Sequence, residues 1–423
     1  MSRLGVMVGR RVIAYTAVIV GASIGGVRTA QALRNAGFDG RVVLVGDEAE
    51  MPYDKPPLSK AVLAGEVEPD QVRLIDEAGA VELDIDLVLG SAAIRLDVAE
   101  STVLLENGTV VRYDSVILAT GASARPSPWG DRSGIHVIRS MADAVALRAD
   151  LAAGGRLAVV GAGFIGAEVA ATGRKLGLEV TMIDPSPVPM SRILGAEMGQ
   201  RFIDLHAAHG VDVRLGVGVE TIDGERGAFR IGLTDGSALD ASVVVVGIGA
   251  QPNDRWLTSS GLDIDNGVVC DRFCKAVGQA NVYAVGDVAR FDNERRGGLT
   301  RLEHWTNAVD QATVVAHNIV TPSEPLGHRP VEYVWSDQYD WKIQIVGLAG
   351  SRENILVEHS TTPDRFAIAY ASADSYLAGV VAVNWPKVVV AARRGLDNDT
   401  TFASFVDLLE QLAAPKPPSG GHT

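Results

Sequence analysis

Two glycine-rich turns constrain this chain more than any other feature. The first reads Gly21-Ala22-Ser23-Ile24-Gly25-Gly26 and the second Gly161-Ala162-Gly163-Phe164-Ile165-Gly166. Each follows a short, wholly apolar run, Ala17-Val18-Ile19-Val20 or Leu157-Ala158-Val159-Val160. Such runs read as parallel strands buried on both faces. After the first turn Val27, Ala30 and Leu33 recur at helical spacing until Gly37. After the second, a helix over 165–176 is stopped by Gly177. Arg41-Val42-Val43-Leu44-Val45 and Val180-Thr181-Met182-Ile183 then return as strands, which makes each segment a βαβ unit.

The chemistry of such a turn is specific. Glycines allow a tight bend and let the backbone approach a pyrophosphate, while the helix N-terminus offers unpaired N–H groups and partial positive charge. An acid at the end of the second strand accepts hydrogen bonds from ribose hydroxyls. Asp47 and Asp184 occupy that place, at about the twenty-residue remove expected. Ser23 replaces the middle glycine of the first turn and is small enough to keep the site. A lone turn of this kind is weak evidence; two, each with strand, helix and trailing acid, imply two dinucleotides on one chain. Gly21, Ser23, Gly25, Gly26 and Asp47 would hold one, and Gly161, Gly163, Phe164, Ile165, Gly166 and Asp184 the other. The carboxylate of Asp184 suits a free 2′-hydroxyl and repels a 2′-phosphate, which favours NADH over NADPH. Pro185-Ser186-Pro187-Val188-Pro189 follows it, with Arg192 the nearest cation.

At 423 residues the chain is too long for one core, so two or three domains are expected. The net charge of −14 argues against nucleic acid as the main partner. The two cysteines, Cys270 and Cys274, form neither a C-x-x-C pair nor a zinc set, and read as reduced thiols of a cytoplasmic protein. No metal site is expected. Arg3, Arg10 and Arg11 before the apolar stretch 12–20 mimic a signal peptide. That stretch runs into the first turn, however, and is better read as the first strand. No apolar run reaches membrane-spanning length.

The fold class expected is α/β: two Rossmann-like dinucleotide-binding domains, one inserted in the other, plus a C-terminal α+β domain with an antiparallel sheet. Ser115-Val116-Ile117-Leu118-Ala119 and Ser242-Val243-Val244-Val245-Val246 mark the crossings, and a helix over 141–153 leads into the insert. Prolines 322, 325 and 330 mark a linker. Beyond it, strands at 343–346, 366–370 and 377–381 precede helices near 387–394 and 402–412. The boundaries are 12–121 with 249–320 for an FAD-binding domain, 122–248 for an NADH-binding domain and 321–413 for the C-terminal domain. Segments 1–11 and 414–423 are expected to be flexible. FAD is preferred over FMN because FMN would leave the phosphate-binding first turn unfilled.

Further segments carry a resemblance. Pro52-Tyr53-Asp54-Lys55-Pro56-Pro57-Leu58-Ser59-Lys60, Gly249-Ala250-Gln251-Pro252-Asn253, Tyr283-Ala284-Val285-Gly286-Asp287-Val288-Ala289, Glu303-His304-Trp305-Thr306-Asn307 and Trp335-Ser336-Asp337-Gln338-Tyr339 occur in that order. Together they resemble the NADH-dependent ferredoxin reductases of bacterial P450 and Rieske oxygenase systems, over nearly the whole chain and with a glutathione-reductase-like architecture. The resemblance implies that Asp287 holds the FAD ribityl chain, Arg139 faces the FAD, Trp305 lies at the pyrimidine end of the flavin and Lys60 sits beside the ring. Glu168 would pair with Lys60 and meet the nicotinamide, Gly249 would belong to the NADH site, and Phe164 would cover the flavin. Lys60 and Glu168 are thus the candidate catalytic pair: a cation beside reduced flavin stabilises its added negative charge, and a buried lysine calls for an anionic partner. Lys55 and Trp341 could tune the site. Val188 stands where the family usually has an arginine, which puts an adenosine or phosphate contact in doubt.

Disulfide reductases share the architecture but need a redox cysteine near the first helix or facing the flavin. No cysteine precedes position 270, which excludes that chemistry. The activity expected is hydride transfer from NADH to FAD, then passage of single electrons to a [2Fe–2S] ferredoxin. Arg290, Arg295, Arg296 and Arg301, or Lys387, Arg393 and Arg394, would form a basic docking patch for this acidic partner. A monomer or weak homodimer is expected. The alternatives are a reductase of rubredoxin or another acceptor, and an NADH-sensing flavoprotein resembling apoptosis-inducing factor.

Overall fold

The computed structural model describes residues 15–350, 353–359, 361–362 and 364–415. The expected flexible segment 1–11, the arginines there and most of 414–423 lie outside these residues, as does the start of the predicted first strand. Three five-stranded sheets organise the rest.

The first sheet is parallel, in the order Val282–Ala284, Ser115–Leu118, Thr16–Val20, Arg41–Val45, Ile85–Val88. Thr16–Val20 is central, and its last four residues are buried, as its apolar run requires. Helices Ile24–Asn35 and Trp305–Val320 cover one face through Val27, Ala30, Leu33, Ala312 and Val315. An antiparallel three-strand meander, Ala93–Asp97, Thr102–Leu105 and Val110–Arg112, covers the other.

The second sheet repeats the plan: Asp212–Leu215, Glu179–Asp184, Arg156–Val160, Val243–Val246, Ile135–His136, all parallel. Helices Phe164–Lys175 and Ser191–Ala208 lie on one face. A second meander, Val219–Glu225, Ala228–Leu233 and Ala238–Ala241, lies on the other. The two passages between the sheets pair with each other: Ala122–Ala124 runs antiparallel to Ala250–Pro252. Asn253 fastens them, its Nδ2 donating to the Thr120 carbonyl (2.8 Å) and its Oδ1 accepting from Ser123 Oγ (2.7 Å).

The third sheet is antiparallel, ordered Tyr333–Gln338, Trp341–Gly347, Leu377–Val383, Phe366–Ala371, Asn354–Glu358. Phe366–Ala371 and Leu377–Val383 are buried at every position. Helices Pro386–Asp397 and Phe402–Ala413 cover one face through Val388, Leu396, Phe405 and Leu409. The opposite face joins a core shared by all three units: Ile343, Ile368 and Val381 from this sheet, Met198 and Phe202 from the second, and Leu58, Val62 and Leu63 from the first. Trp341 belongs to that core and meets Phe366 edge-on (5.2 Å). No described helix is long and apolar enough to cross a membrane.

Candidate functional site

Both turns have the geometry their sequence requires. Gly21 has φ +116°, and a Cβ there would lie 2.1 Å from the Ala119 carbonyl oxygen. Gly161, at φ +103°, repeats this against the Gly247 oxygen at 2.3 Å. Neither nucleotide helix has an acid in its first turn, so the positive ends of both are left for an anionic group. Ser23 stands at the N-cap of the first helix, yet its side chain makes no capping bond.

Around the first turn is a cavity of about 470 Å³. Gly21, Ser23, Asp47 and Gly121 line it from the first sheet, and Arg139 and Asp143 from the segment that enters the second. Trp256 lines it too, and its buried Nε1–H has no partner, a donor left for something that fills the space. Lys55, which the sequence marks as a residue that could tune the site, is a wall residue. Its ammonium meets Glu48 at 3.1 Å, and burial pulls its pKa below the usual lysine range against the pull of that carboxylate. Tyr53, also in the wall, donates to Glu48 and accepts from the Met141 N–H (2.8 Å), which locks the motif segment to the insert.

Beyond the cavity lining, Arg139 pairs with Asp287 at 3.1 Å. Burial raises the Asp287 carboxyl, and the Arg139 guanidinium opposes that rise. Trp305 opens the helix Trp305–Val320, with Nε1 donating to Asp54 Oδ1 (2.8 Å) and its ring edge-on to Trp335 (6.1 Å). Before it, His304 is pushed toward the neutral form by burial, and its Nδ1 is buried without a partner.

The second turn opens outward. Ile165 and Ile248 beside it are 45% and 40% exposed, an apolar margin around the helix N-terminus. Asp184 Oδ2 accepts from the Ala162 N–H and Oδ1 from the Ser186 N–H, both at 2.8 Å, so the acid fixes the turn and retains lone pairs for a ribose. Gly249 (φ +104°) precedes Ala250–Pro252, and a Cβ there would meet only the Arg125 side chain, at 3.7 Å. Phe164 is half-buried against the shared core. Val188 packs beneath the helix Ser191–Ala208, where a Cβ on Gly199 would come within 2.4 Å of it. The Arg192 side chain falls outside what is described.

Lys60 and Glu168 meet between the two nucleotide units, Nζ to Oε2 at 2.7 Å, with Glu168 only 3% exposed. Lys60 Nζ also donates to the Pro56 carbonyl (3.0 Å). Two hydroxyls that sequence reasoning did not single out complete the carboxylate: Ser59 Oγ donates to Oε2 (2.5 Å) and Ser336 Oγ to Oε1 (2.7 Å). Glu168 sits on the helix of the second turn, Ser59 and Lys60 beside the first unit and Ser336 on the third sheet.

The expected docking arginines are engaged internally. Arg290 pairs with Asp265, Arg295 with Asp397 (3.2 Å) and Arg301 with Glu303 (2.7 Å). Arg296 grips the buried Glu332 with two nitrogens, Nε lying 2.6 Å from Oε1. Both cysteines are buried and unpaired, and burial drives their thiols well above the usual range. Neither is poised for redox chemistry. No group of three or more metal-ligating side chains occurs among the described residues.

Comparison with known proteins agrees with this geometry. Residues 15–312 match the model of the pyridine nucleotide-disulphide oxidoreductase family and residues 333–411 that of the reductase C-terminal domain. Rhodocoxin reductase of Rhodococcus erythropolis is 38% identical over 89% of this chain and 88% of its own. Putidaredoxin reductase of Pseudomonas putida is 32% identical over 94% and 97%. Among solved structures, the ferredoxin reductase for the CYP199A2 system of Rhodopseudomonas palustris superposes with a TM-score of 0.88 at 32% identity, covering 94% of this chain and 100% of that one. The reductase in the covalent putidaredoxin reductase–putidaredoxin complex does so at 0.85 and 29%, covering 94% and 99%. A model that spans most of the chain, and full-length relatives above 30% identity, carry the conclusion: the chain belongs to the pyridine nucleotide-disulphide oxidoreductase family, on the branch of its ferredoxin–NAD(+) reductases.

Proposed function

We propose that this protein is an NADH-dependent, FAD-containing ferredoxin reductase that serves a P450 or Rieske oxygenase. The observation that carries the reading is the Lys60–Glu168 pair, buried where the two nucleotide-binding units meet. The residues of the first unit fit FAD: a glycine that leaves no room for a Cβ, an uncapped Ser23, an acid-free helix N-terminus and the unpartnered Trp256 donor. Residues 12–121 and 249–320 would hold it, through Gly21, Ser23, Gly25, Gly26, Asp47, Arg139, Asp287 and Trp305. Residues 122–248 would take NADH, through Gly161, Gly163, Phe164, Ile165, Gly166, Asp184 and Gly249. When bound, FAD would supply the two-electron to one-electron conversion that links hydride to an iron–sulfur acceptor. Lys60 would supply positive charge beside the reduced ring, and Glu168 would keep that lysine in place.

A ferredoxin is the partner proposed. Its docking is less well served by Arg290, Arg295, Arg296 and Arg301, each neutralised at short range, than by exposed Lys387, Arg393 and Arg394 on helix Pro386–Asp397. Two buried thiols are compatible with a cytoplasmic location, and a monomer or weak homodimer is proposed. The test is NADH-driven cytochrome c reduction by the FAD-loaded protein, with and without a [2Fe–2S] ferredoxin, repeated with NADPH. Strong stimulation by ferredoxin with NADH supports the reading. Rapid flavin reduction without it, across a panel of ferredoxins, moves the rubredoxin and NADH-sensor readings forward.

A further inference from the structure

Glu168 receives more than its lysine. A continuous row of side chains leads to its Oε1 from the third sheet and from helix Ser191–Ala208. Ser336 Oγ lies 2.7 Å from Oε1, Gln338 Nε2 3.0 Å from Ser336 Oγ, His206 Nε2 3.1 Å from Gln338 Oε1, and Tyr339 OH 3.1 Å from His206 Nδ1. Ser336, Gln338 and His206 are essentially inaccessible to solvent.

The chemistry of the end groups fixes the direction of every bond. A carboxylate only accepts, so the Ser336 hydroxyl donates to it. That leaves the Ser336 oxygen as acceptor for the Gln338 amide N–H. The Gln338 carbonyl must then accept, which puts the imidazole proton on Nε2. His206 Nδ1 is left as an acceptor for the Tyr339 hydroxyl. All four bonds point the same way and end on Glu168. Burial holds the His206 pKa down near 4, so the imidazole stays neutral and its tautomer is set by the row.

We propose that Ser336, backed by Gln338 and His206, is a positioning residue for Glu168, through which the C-terminal domain and helix Ser191–Ala208 hold the carboxylate aimed at Lys60. Aligned donors polarise one another, so the last hydroxyl is a better donor than an isolated serine. Ser336 occupies Oε1 and leaves Oε2 to Lys60 and Ser59. The third domain, which holds neither nucleotide turn, thereby reaches the contact between the two units. Among the described residues Lys60 faces Glu168 directly and His206 and Tyr339 face it through the row, with His209 stacked on Tyr339 and Arg174 near its hydroxyl. This inference rests on the proposed placement of Glu168 at hydride transfer.

Stopped-flow reduction of the FAD-loaded protein by NADH, with the limiting rate and the Kd for NADH read separately, tests it alongside the flavin midpoint potential. Ser336→Ala is expected to slow the limiting rate about tenfold, as loss of one hydrogen bond to a charged group predicts, while the Kd for NADH changes less. The flavin midpoint potential should shift as well, because a carboxylate released at one oxygen no longer fixes the Lys60 ammonium in one place. Gln338→Met, which leaves Ser336 in place, should shift both in the same direction by less, and it carries the test alone if Ser336→Ala fails to retain FAD. Wild-type rates and potentials in both variants would overturn the proposal. Glu168→Gln separates the two ideas: if it too reduces flavin at the wild-type rate, the placement of Glu168 at hydride transfer is wrong, whereas a slow Glu168→Gln beside unaltered Ser336→Ala and Gln338→Met rejects the row alone.

Discussion

The two glycine turns are near copies in backbone and opposites in surroundings. Each bends at a positive-φ glycine pressed against a neighbouring strand's carbonyl, and each opens a helix with an acid-free first turn. Around the first, the motif segment, the meander and the entry to the insert wall a cavity with mixed polar and apolar lining. The second stands beside exposed Ile165 and Ile248. Enclosure suits a cofactor that stays, and an open apolar margin suits a nicotinamide that must enter and leave with every turnover. The turn sets what chemistry can be held, and the packing around it sets how long.

The largest expected effect breaks the copies apart. Gly21→Ala would put a Cβ 2.1 Å from the Ala119 oxygen, and Gly161→Ala would put one 2.3 Å from the Gly247 oxygen. Both turns must deform, but the consequences should differ in kind. Gly21→Ala should purify without FAD, read as loss of absorbance near the flavin band. Gly161→Ala should keep its flavin, reducible by dithionite and not by NADH. Equal flavin loss in both would mean that the second turn also supports the cavity.

A matched pair of buried histidines sharpens the comparison at the level of stability. His328 lies beside the first unit against Phe291 and Asn307, and His206 lies between the second and third. Burial lowers each to about 4. In the unfolded chain each takes up a proton near 6.5, and in the folded protein only near 4. The unfolded state therefore binds more protons in that window, so stability is full above pH 6.5 and falls as the pH drops toward 4. Each histidine should account for roughly 3 kcal/mol of that loss. Urea unfolding of His328→Phe and His206→Phe between pH 7 and 4.5 should show a shallower acid limb in each. Should the acid limb keep its full slope in one variant, the other histidine dominates.

Next in size is Asp184. Its carboxylate holds Ala162 and Ser186 and would receive the ribose as well. Asp184→Asn keeps the shape but removes the charge, and one oxygen's acceptor role passes to a donor. The Kd for NADH should rise about tenfold, as loss of a charge-assisted hydrogen bond predicts. The preference over NADPH should narrow. An unchanged preference would shift nicotinamide selection away from this strand end.

How much of this was legible in the sequence follows from the range of each signal. The two βαβ units are local: strand, turn, helix and acid fall within about thirty residues, and all appear where expected. The strand Tyr333–Gln338 and the two meanders carry no clear strand signal, because alternation over so few residues resembles loop. The Lys60–Glu168 pair came from resemblance, since nothing in spacing joins residues on different units. Ser59 and Ser336, 109 and 168 positions from Glu168, were invisible for the same reason, though both lie inside the motif segments. The run of arginines shows the converse limit. A run of like charges says nothing of the carboxylates that tertiary structure brings against it, and Asp397 and Glu332 are brought there by the third domain.

The smallest expected effect tests whether the turns are equivalent at their middle position, Ser23 in one and Gly163 in the other. Both have extended N-cap backbone at negative φ, −111° and −75°. A Cβ on Gly163 would meet nothing within 4 Å, so the protein itself does not demand glycine there. Ser23→Gly should therefore leave FAD retention unchanged, and Gly163→Ser should raise the Kd for NADH by less than about threefold, well under the worth of one hydrogen bond to a charged group. A loss of a hundredfold in Gly163→Ser would mean that the nicotinamide dinucleotide comes closer to its backbone than FAD does to the first turn. The open site would then be the tighter fit at the pyrophosphate, and the difference between resident and transient ligand would lie in the walls alone.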